Sequence, residues 1–438
     1  MNDQDLTTGS DSGEDSAHVE EPSLVEARAL GGRGALRLAF VLVIIVALAY
    51  QLHILGTLVV VAAIVAMIMI HEFGHFFTAK LSGMKVMEYF LGFGPRIWSF
   101  RRGETEYGVK ALPLGGYVKI VGMATAEEVP PEDESRTYRE SSFPRRLAVS
   151  VAGSFMHFVM ALVLIFVILV GYGYADPHVI AVGGVASFTG QRSPAQVAGL
   201  RSGDVILSVD GKPVHSVTTL SSTLGDAIGK PVSLTLDRHG RIISTSVTPV
   251  DGKSVKIDGQ PYLPSSAKAR GVIGISLVAG TTHPSVFGAI GRSFTDLGSF
   301  SWQTVTALVS HFSPHGIAQY AAQLVHPSTN PSSAGAQSRF ASPVGIVRLA
   351  SQAAQAGVET VLGLLISINI FVGIFNLVPL LPLDGGHVVI AIYERIRSRK
   401  GRAYHVDIFK LMPLTYVVIG VLVVLSVTAL YLDLTHPI

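Results

Sequence analysis

The sequence predicts a polytopic α-helical membrane protein of about five transmembrane helices, with a β-rich domain inserted between the third and the fourth. Three observations predict it. Charged residues make up 15% of the 438 and hydrophobic ones 49%, whereas ordinary soluble domains carry about 25% charged residues. Apolar runs long enough to cross a bilayer, about 20 residues each, recur along the chain. Between the third and fourth runs the pattern changes to short β-rich stretches. There are no cysteines, so no disulfide framework exists and any metal site must draw on His, Asp or Glu. The formal net charge of +2 says less than where the basic residues lie. Nucleic acid is not expected as a partner.

Residues 1–34 hold Asp3, Asp5, Asp11, Glu14, Asp15, Glu20, Glu21 and Glu26 with few large apolar side chains. Such a segment cannot bury enough apolar surface to offset chain entropy, and it reads as a disordered acidic tail. No basic region opens the chain, which argues against a cleaved signal peptide. Leu36 to Ile70 is almost wholly apolar and too long for one span. A turn at Tyr50-Gln51-Leu52-His53 and Gly56 divides it into spans near 36–53 and 57–80. The first, within 35–54, stands apart from the segment 55–174, which contains the second span, a polar loop and a third span near 147–172. A fourth apolar region, 361–392, contains Pro379 and Pro382. Prolines remove helical hydrogen bonds, and such breaks survive at membrane depth only inside protein or around a water-filled cavity. The last span covers about 411–430, within a C-terminal portion 361–438.

Basic residues orient these spans. Arg28, Arg33 and Arg37 precede the first, eleven Lys and Arg residues from Lys80 to Arg146 follow the second, and Arg395, Arg397, Arg399, Lys400 and Arg402 follow the fourth. The positive-inside rule places all three groups in the cytoplasm and the region 175–360 outside. Five spans alternate consistently under this assignment.

The sharpest chemical signal is His71-Glu72-Phe73-Gly74-His75. On a helix, positions i and i+4 share a face, so both imidazoles can grip one Zn²⁺ while Glu72 reaches its water. A charged residue inside an apolar helix costs about 2.5–3.5 kcal/mol on insertion scales, which disfavours a chance match. Zinc needs a third protein ligand. Asp384, in Asn376-Leu-Val-Pro379-Leu-Leu-Pro382-Leu-Asp384-Gly385-Gly386-His387, is the other acidic residue well inside an apolar span. The depths support the pairing: His71 lies about 22 Å along its helix from Gly56 at 1.5 Å per residue, and Asp384 a similar way in from Val361, less whatever the proline break removes. His387 and His157 are competing ligands, read as packed or hydrogen-bonded histidines.

Together the two motifs resemble the site-2 protease family of intramembrane zinc metalloproteases, and within it the branch of the bacterial regulator of sigma-E protease. Gly92-Phe93-Gly94-Pro95 and Pro113-Leu114-Gly115-Gly116-Tyr117-Val118-Lys119 match as well, so the resemblance covers roughly 57–438. It implies that His71, His75 and Asp384 hold zinc, that Glu72 is the catalytic base and that Asn376 helps hold substrate. The segment 104–120, with Gly115-Gly116 and alternating apolar residues, reads as a β-hairpin; the resemblance implies that it dips into the membrane and pairs its edge with unwound substrate, an ordinary cytoplasmic hairpin being the alternative. Two departures stand out. The second proline of the family motif falls one place later, leaving Leu381 in its position. The family's Ala-Gly-Pro-x-x-Asn reads Ala152-Gly153-Ser154-Phe155-Met156-His157 here. The first span and its tail look like an addition.

The stretch 178–280 reads as a soluble domain with β-rich runs at 179–182, 205–209, 232–236 and 242–247. Ser193-Pro194-Ala195-Gln196-Val197-Ala198-Gly199-Leu200-Arg201-Ser202-Gly203-Asp204-Val205-Ile206 followed by Asp210-Gly211 resembles a PDZ domain. Such domains bind extended peptide termini by strand addition; a pure size filter is the alternative. Residues 281–360 are expected to supply helices on the outer membrane surface, near 282–326, and a Ser/Pro/Gly-rich linker at 327–343. The implied activity is cleavage of single-span membrane proteins, such as anti-sigma factors, inside the bilayer. Rival classes are a non-catalytic zinc-containing receptor that captures peptides, disfavoured by the intact Glu72, and a transporter, disfavoured because the helix break has no paired repeat.

Overall fold

A computed structural model describes residues 24–123, 129–257, 259–264, 266–330, 333, 339–398 and 404–437. Within these, five helical segments are long and apolar enough to cross a membrane: Gly34–Gln51, Leu55–Leu81, Phe143–Gly171, Val358–Asn376 and Phe409–Thr435. The chain divides into two compact units, one of residues 1–153 and 379–419, the other of 154–378 and 420–438.

In the first unit, helix α1 (Leu24–Gln51) starts ten residues before the expected end of the acidic tail, and the rest of the tail lies outside the described residues. Leu24, Ala27, Ala29 and Leu30 already favour helix ahead of the apolar run. A short turn at His53 (φ 57°) leads into α2 (Leu55–Leu81), which ends where Gly83 (φ 78°) reverses the chain.

The expected hairpin at 104–120 is larger than the sequence suggested. Strand β1 (Val86–Arg102) pairs antiparallel with β2 (Thr105–Ile120) around Gly103 (φ 65°). Positive φ at Gly92 and Gly94 lets β1 fold back on itself, so a sequence run that reads as a loop is a bend within a strand. The register shows the outcome. Residues 88–91 meet 119–116 on one side, and on the other meet 106–109 with residue numbers rising together. The run 96–102 pairs beyond that with 110–105. The sheet thus has two outer margins, 96–102 and 116–120. The former meets α1, where a Cβ on Gly34 would stand 2.9 Å from the Ile97 carbonyl oxygen and 3.3 Å from the Trp98 ring.

Helix α3 (Phe143–Gly171) begins in this unit and continues into the second. The fourth apolar region breaks where Pro379 and Pro382 fall. Helix ends at Asn376 and resumes at Asp384, because neither proline supplies an N–H to the ladder. Gly386 permits the tight return, since its Cβ would lie 2.7 Å from the Leu381 nitrogen.

In the second unit, β3 (Tyr174–Val185), β4 (Val205–Val209), β5 (Lys212–Pro213), β6 (Val232–Arg238), β7 (Arg241–Val247) and β12 (Ile275–Thr282) form one sheet in the order β12-β3-β4-β6-β7, with β5 on β4. Short pairs β8 (Val250–Asp251), β9 (Lys256–Ile257), β10 (Gln260–Pro261) and β11 (Gly271–Val272) lie between β7 and β12. The short helix α4 (Pro194–Val197) and α5 (Val217–Asp226) complete it. Ile180, Ile206, Leu220, Leu234 and Leu236 fill its core. Asp210 (φ 48°) and Gly211 (φ 74°) make the tight β4–β5 turn. Beyond it come α6 (Val286–His311), α7 (Pro314–Val325), α8 (Pro343–Ala356) and α9 (Val358–Asn376). Helix α8 starts at the end of the expected linker; part of that linker lies outside the described residues. In the numbering used here α10 is Asp384–Arg397, in the first unit, and α11 is Met412–Thr435.

Candidate metal centre

Four side chains of the first unit converge. His71 and His75, one turn apart on α2, are 7% and 6% exposed. Their Nε2 atoms are 3.3 Å apart. Asp384 Oδ2, from the first turn of α10, lies 3.5 Å from His71 Nε2 and 3.3 Å from His75 Nε2. The Asp384 oxygen is buried and has no hydrogen-bond partner beyond these nitrogens. The three atoms therefore form a nearly equilateral triangle.

Tetrahedral zinc with bonds of about 2.0–2.1 Å requires ligand atoms about 3.3–3.4 Å apart, so the triangle fits one face of that polyhedron. The tautomers fit as well. His75 Nδ1 stands 2.7 Å from the Val149 carbonyl oxygen; an oxygen of that kind only accepts, so Nδ1 carries the proton and Nε2 presents a lone pair. Three lone-pair donors facing one another without a cation would repel; one cation satisfies them all. Among the described residues, His71, His75 and Asp384 are the one group of this kind.

The space is kept by Gly153 of α3. A Cβ there would lie 2.3 Å from His75 Nε2, 2.5 Å from His71 Cε1 and 2.6 Å from His71 Nε2. Any side chain at 153 would occupy the centre. Sequence reasoning quoted Gly153 within a departing motif and gave it no role; its signal was the run of small residues Ala152-Gly153-Ser154 inside an apolar helix.

Glu72, half-buried beside the histidines, meets the sheet. The Val118 backbone N–H reaches its carboxylate, and a Cβ on Gly116 would lie 3.0 Å from Glu72 Cγ. The margin 116–120 therefore borders the general-base candidate directly. Tyr89 of β1 adds a tie to α2, donating its hydroxyl to the Met69 carbonyl at 2.8 Å. Gly115 faces the Phe93 ring, 3.2 Å from where its Cβ would be.

The other expected residues fall elsewhere. His387, one turn beyond Asp384, stands edge-on to Tyr138 with ring centroids 6.4 Å apart and is not in the triangle. His157 and Asn376 belong to the second unit. There His157 Nδ1 bonds Asn369 Oδ1 at 2.8 Å, and Asn376 ends α9, half-buried. Asn369, fully buried, was legible as an amide in the middle of an apolar span and was missed.

A sequence model of peptidase family M50 matches residues 59–420. The chain is 33% identical over 427 residues to the zinc metalloprotease Rip1 of Mycobacterium tuberculosis, covering 89% of this chain and 99% of that protein. Its likeness to Rip1 of Mycolicibacterium smegmatis is 32%, over 87% and 98% of the two chains. The membrane metalloprotease ARASP, chloroplastic, of Arabidopsis thaliana is 29% identical, over 78% and 71%. Helix α1 lies ahead of the region the family model matches.

Proposed function

This chain belongs to peptidase family M50, and from that premise we propose that His71, His75 and Asp384 hold its zinc and that Glu72 is its general base. The protein is an intramembrane zinc metalloprotease. The observation that carries the residue assignment is the triangle of donor atoms with sides of 3.3–3.5 Å.

When bound, zinc lowers the pKa of its water toward about 7 and polarises the scissile carbonyl. The rest falls to the chain. The Val149 carbonyl fixes the His75 ring and its tautomer. Glu72 takes the proton of the attacking water and hands it to the departing amine. A helical substrate hides its carbonyls in hydrogen bonds, so it must be extended before attack. Gly115 and Gly116 lie on the sheet margin beside Glu72, where an unwound segment adds as a further strand; the absence of side chains there brings the guest backbone close. Asn376, beside the helix break, is the remaining substrate contact. The substrate class is the single-span membrane protein, an anti-sigma factor being the example the family resemblance offers.

Basic residues in 80–146 and 395–402 support a cytoplasmic site and an extracytoplasmic β-rich domain. In that domain the Ser193–Ile206 motif supports a PDZ reading, with extended peptide termini or simple size exclusion as its task.

The test combines metal analysis with cleavage of a single-span substrate. Glu72→Gln retains the three ligands and is expected to keep zinc while losing cleavage. Asp384→Asn removes the ligand charge and is expected to lose both, while His387→Ala is milder. Full zinc in Asp384→Asn with loss in His387→Ala would overturn the choice of third ligand.

A further inference from the structure

The helices bearing Gly153 and Asp384 carry a second link, away from the metal triangle. Arg146 of α3 and Glu394 of α10 are 9% and 4% exposed and form an ion pair with Nη1 to Oε2 at 2.5 Å. The other Glu394 oxygen accepts the Val406 backbone N–H at 2.7 Å. Sequence reasoning used Arg146 only as one of the basic residues that orient the spans and gave Glu394 no role.

Their helical positions are informative. Arg146, Val149 and Gly153 fall at i, i+3 and i+7, one stripe of α3; Asp384, His387, Ala391 and Glu394 fall at i, i+3, i+7 and i+10, one stripe of α10. At one end of these stripes Val149 and Gly153 meet the two histidines and Asp384 completes the triangle. At the other end, about 10 Å along α3 and about 15 Å along α10, Arg146 meets Glu394. Between the ends the surfaces do not close. A cavity of about 190 Å³ is bounded by Tyr138, Arg146, His387, Ile390, Ala391 and Glu394. The buried Arg146 Nε finds no partner. Tyr138, bonded to Ser150 Oγ of α3 at 2.8 Å and edge-on to His387 of α10, lies between the two helices, and the ion pair bridges them directly.

We propose that Arg146 and Glu394 are a positioning pair that fixes α10 against α3 and so holds Asp384 at ligating distance from His71 and His75. The inference rests on the reading of Asp384 as a zinc ligand. A directional, charge-assisted link suits the task, because metal-ligand distances tolerate only about 0.2 Å of error.

A pair that merely neutralises two buried charges and a pair that sets geometry respond differently to replacement. Removing one partner strands a charge, whereas exchanging both for apolar residues of similar volume is often neutral for folding. The variants are Arg146→Met, Glu394→Met and the double replacement, made in the full chain. For each, zinc affinity is read by competition with a chelator, with kcat, KM and thermal stability alongside. The single variants are expected to lose stability and to weaken zinc about 10–100-fold, the range for groups that orient ligands. The double variant is expected to regain wild-type stability yet keep weakened zinc, with kcat reduced and KM little changed. A double variant with wild-type zinc affinity and kcat overturns the proposal, as do single variants whose folded fraction binds zinc normally. Asp384→Asn run in parallel separates the two readings. If it retains full zinc, the ligand assignment fails; if it loses zinc while the pair variants keep it, only the positioning role fails.

Discussion

Gly153→Ala adds one methyl group and tests the architecture of the centre. The new carbon would stand 2.3–2.6 Å from three atoms of the two imidazoles, whereas ordinary carbon contacts begin near 3.5 Å. Relief requires α3 to retreat from α2 by roughly 1 Å, a displacement that can reduce activity about 100-fold when catalytic geometry depends on it. Two effects of the substitution oppose each other, which makes the result readable. Alanine stabilises a helix interior by about 0.5–1 kcal/mol relative to glycine, so a variant that folds by rearranging need not melt early. The expected result is a folded, detergent-solubilised protein that holds substoichiometric zinc after dialysis against a weak chelator and cleaves no single-span substrate. Gly171→Ala, at the far end of the same helix where a Cβ meets nothing within 4 Å, serves as the control and should keep both. Wild-type zinc in Gly153→Ala would refute the reasoning, because it would mean that the imidazoles do not face this residue.

Three further predictions follow from other parts of the chain. A reporter active only in the cytoplasm should work after Lys119 and fail after Val250; the reverse would invert the orientation taken from the basic residues. Deleting 178–280 with a short linker should leave zinc bound, since no proposed ligand lies there, and should admit substrates with bulky outer domains if the β-rich domain filters by size; unchanged discrimination would count against the filter. Glu104, at the turn of the sheet, accepts two hydrogen bonds from Arg136 and one from Lys80. The Arg136 bonds pull its carboxyl down to about 2 from 4.5, against partial burial, with Lys80 assisting. A depressed carboxylate stabilises the fold fully above pH 4.5 and loses that contribution as pH falls through about 2. With solvent screening, the contribution is about 1 kcal/mol. Glu104→Gln should therefore lower the melting temperature at pH 7 and flatten the decline between pH 5 and 3; parallel curves for the two proteins would show that the network is not coupled to folding.

Much of the first unit was legible because its signals are periodic or chemical. Spans declare themselves by length and apolarity, and His71, Glu72 and His75 by a spacing that only a helix makes useful. The break near Pro379 and Pro382 followed from their missing N–H groups. Other features depend on non-local approach and leave little local trace. Nothing near Gly92 or Gly94 announces that 86–102 bends back to give a sheet with two margins, since a glycine permits both a loop and a bent strand. Gly153 matters for the imidazoles it meets from another helix, and Arg146 for a carboxylate 248 residues away. A one-dimensional pattern shows which side chains a segment must bury, but not which partner arrives.

The two margins of the β1–β2 sheet are not equivalent. Helix α1 leans on 96–102 so closely that only a residue without a side chain fits at 34, while 116–120 runs beside Glu72. Exposed strand margins invite a second copy of the same chain to dock and propagate, and covering one with a helix is a way of forbidding it. Growth of this sheet is thereby one-sided: a further strand must arrive on the flank that runs beside Glu72. The same geometry also sets a frame of reading. On the proposed strand addition, a guest held along a single ladder slips only in steps of two residues without turning its side chains to the opposite face, so the scissile position would be chosen in discrete jumps along the substrate.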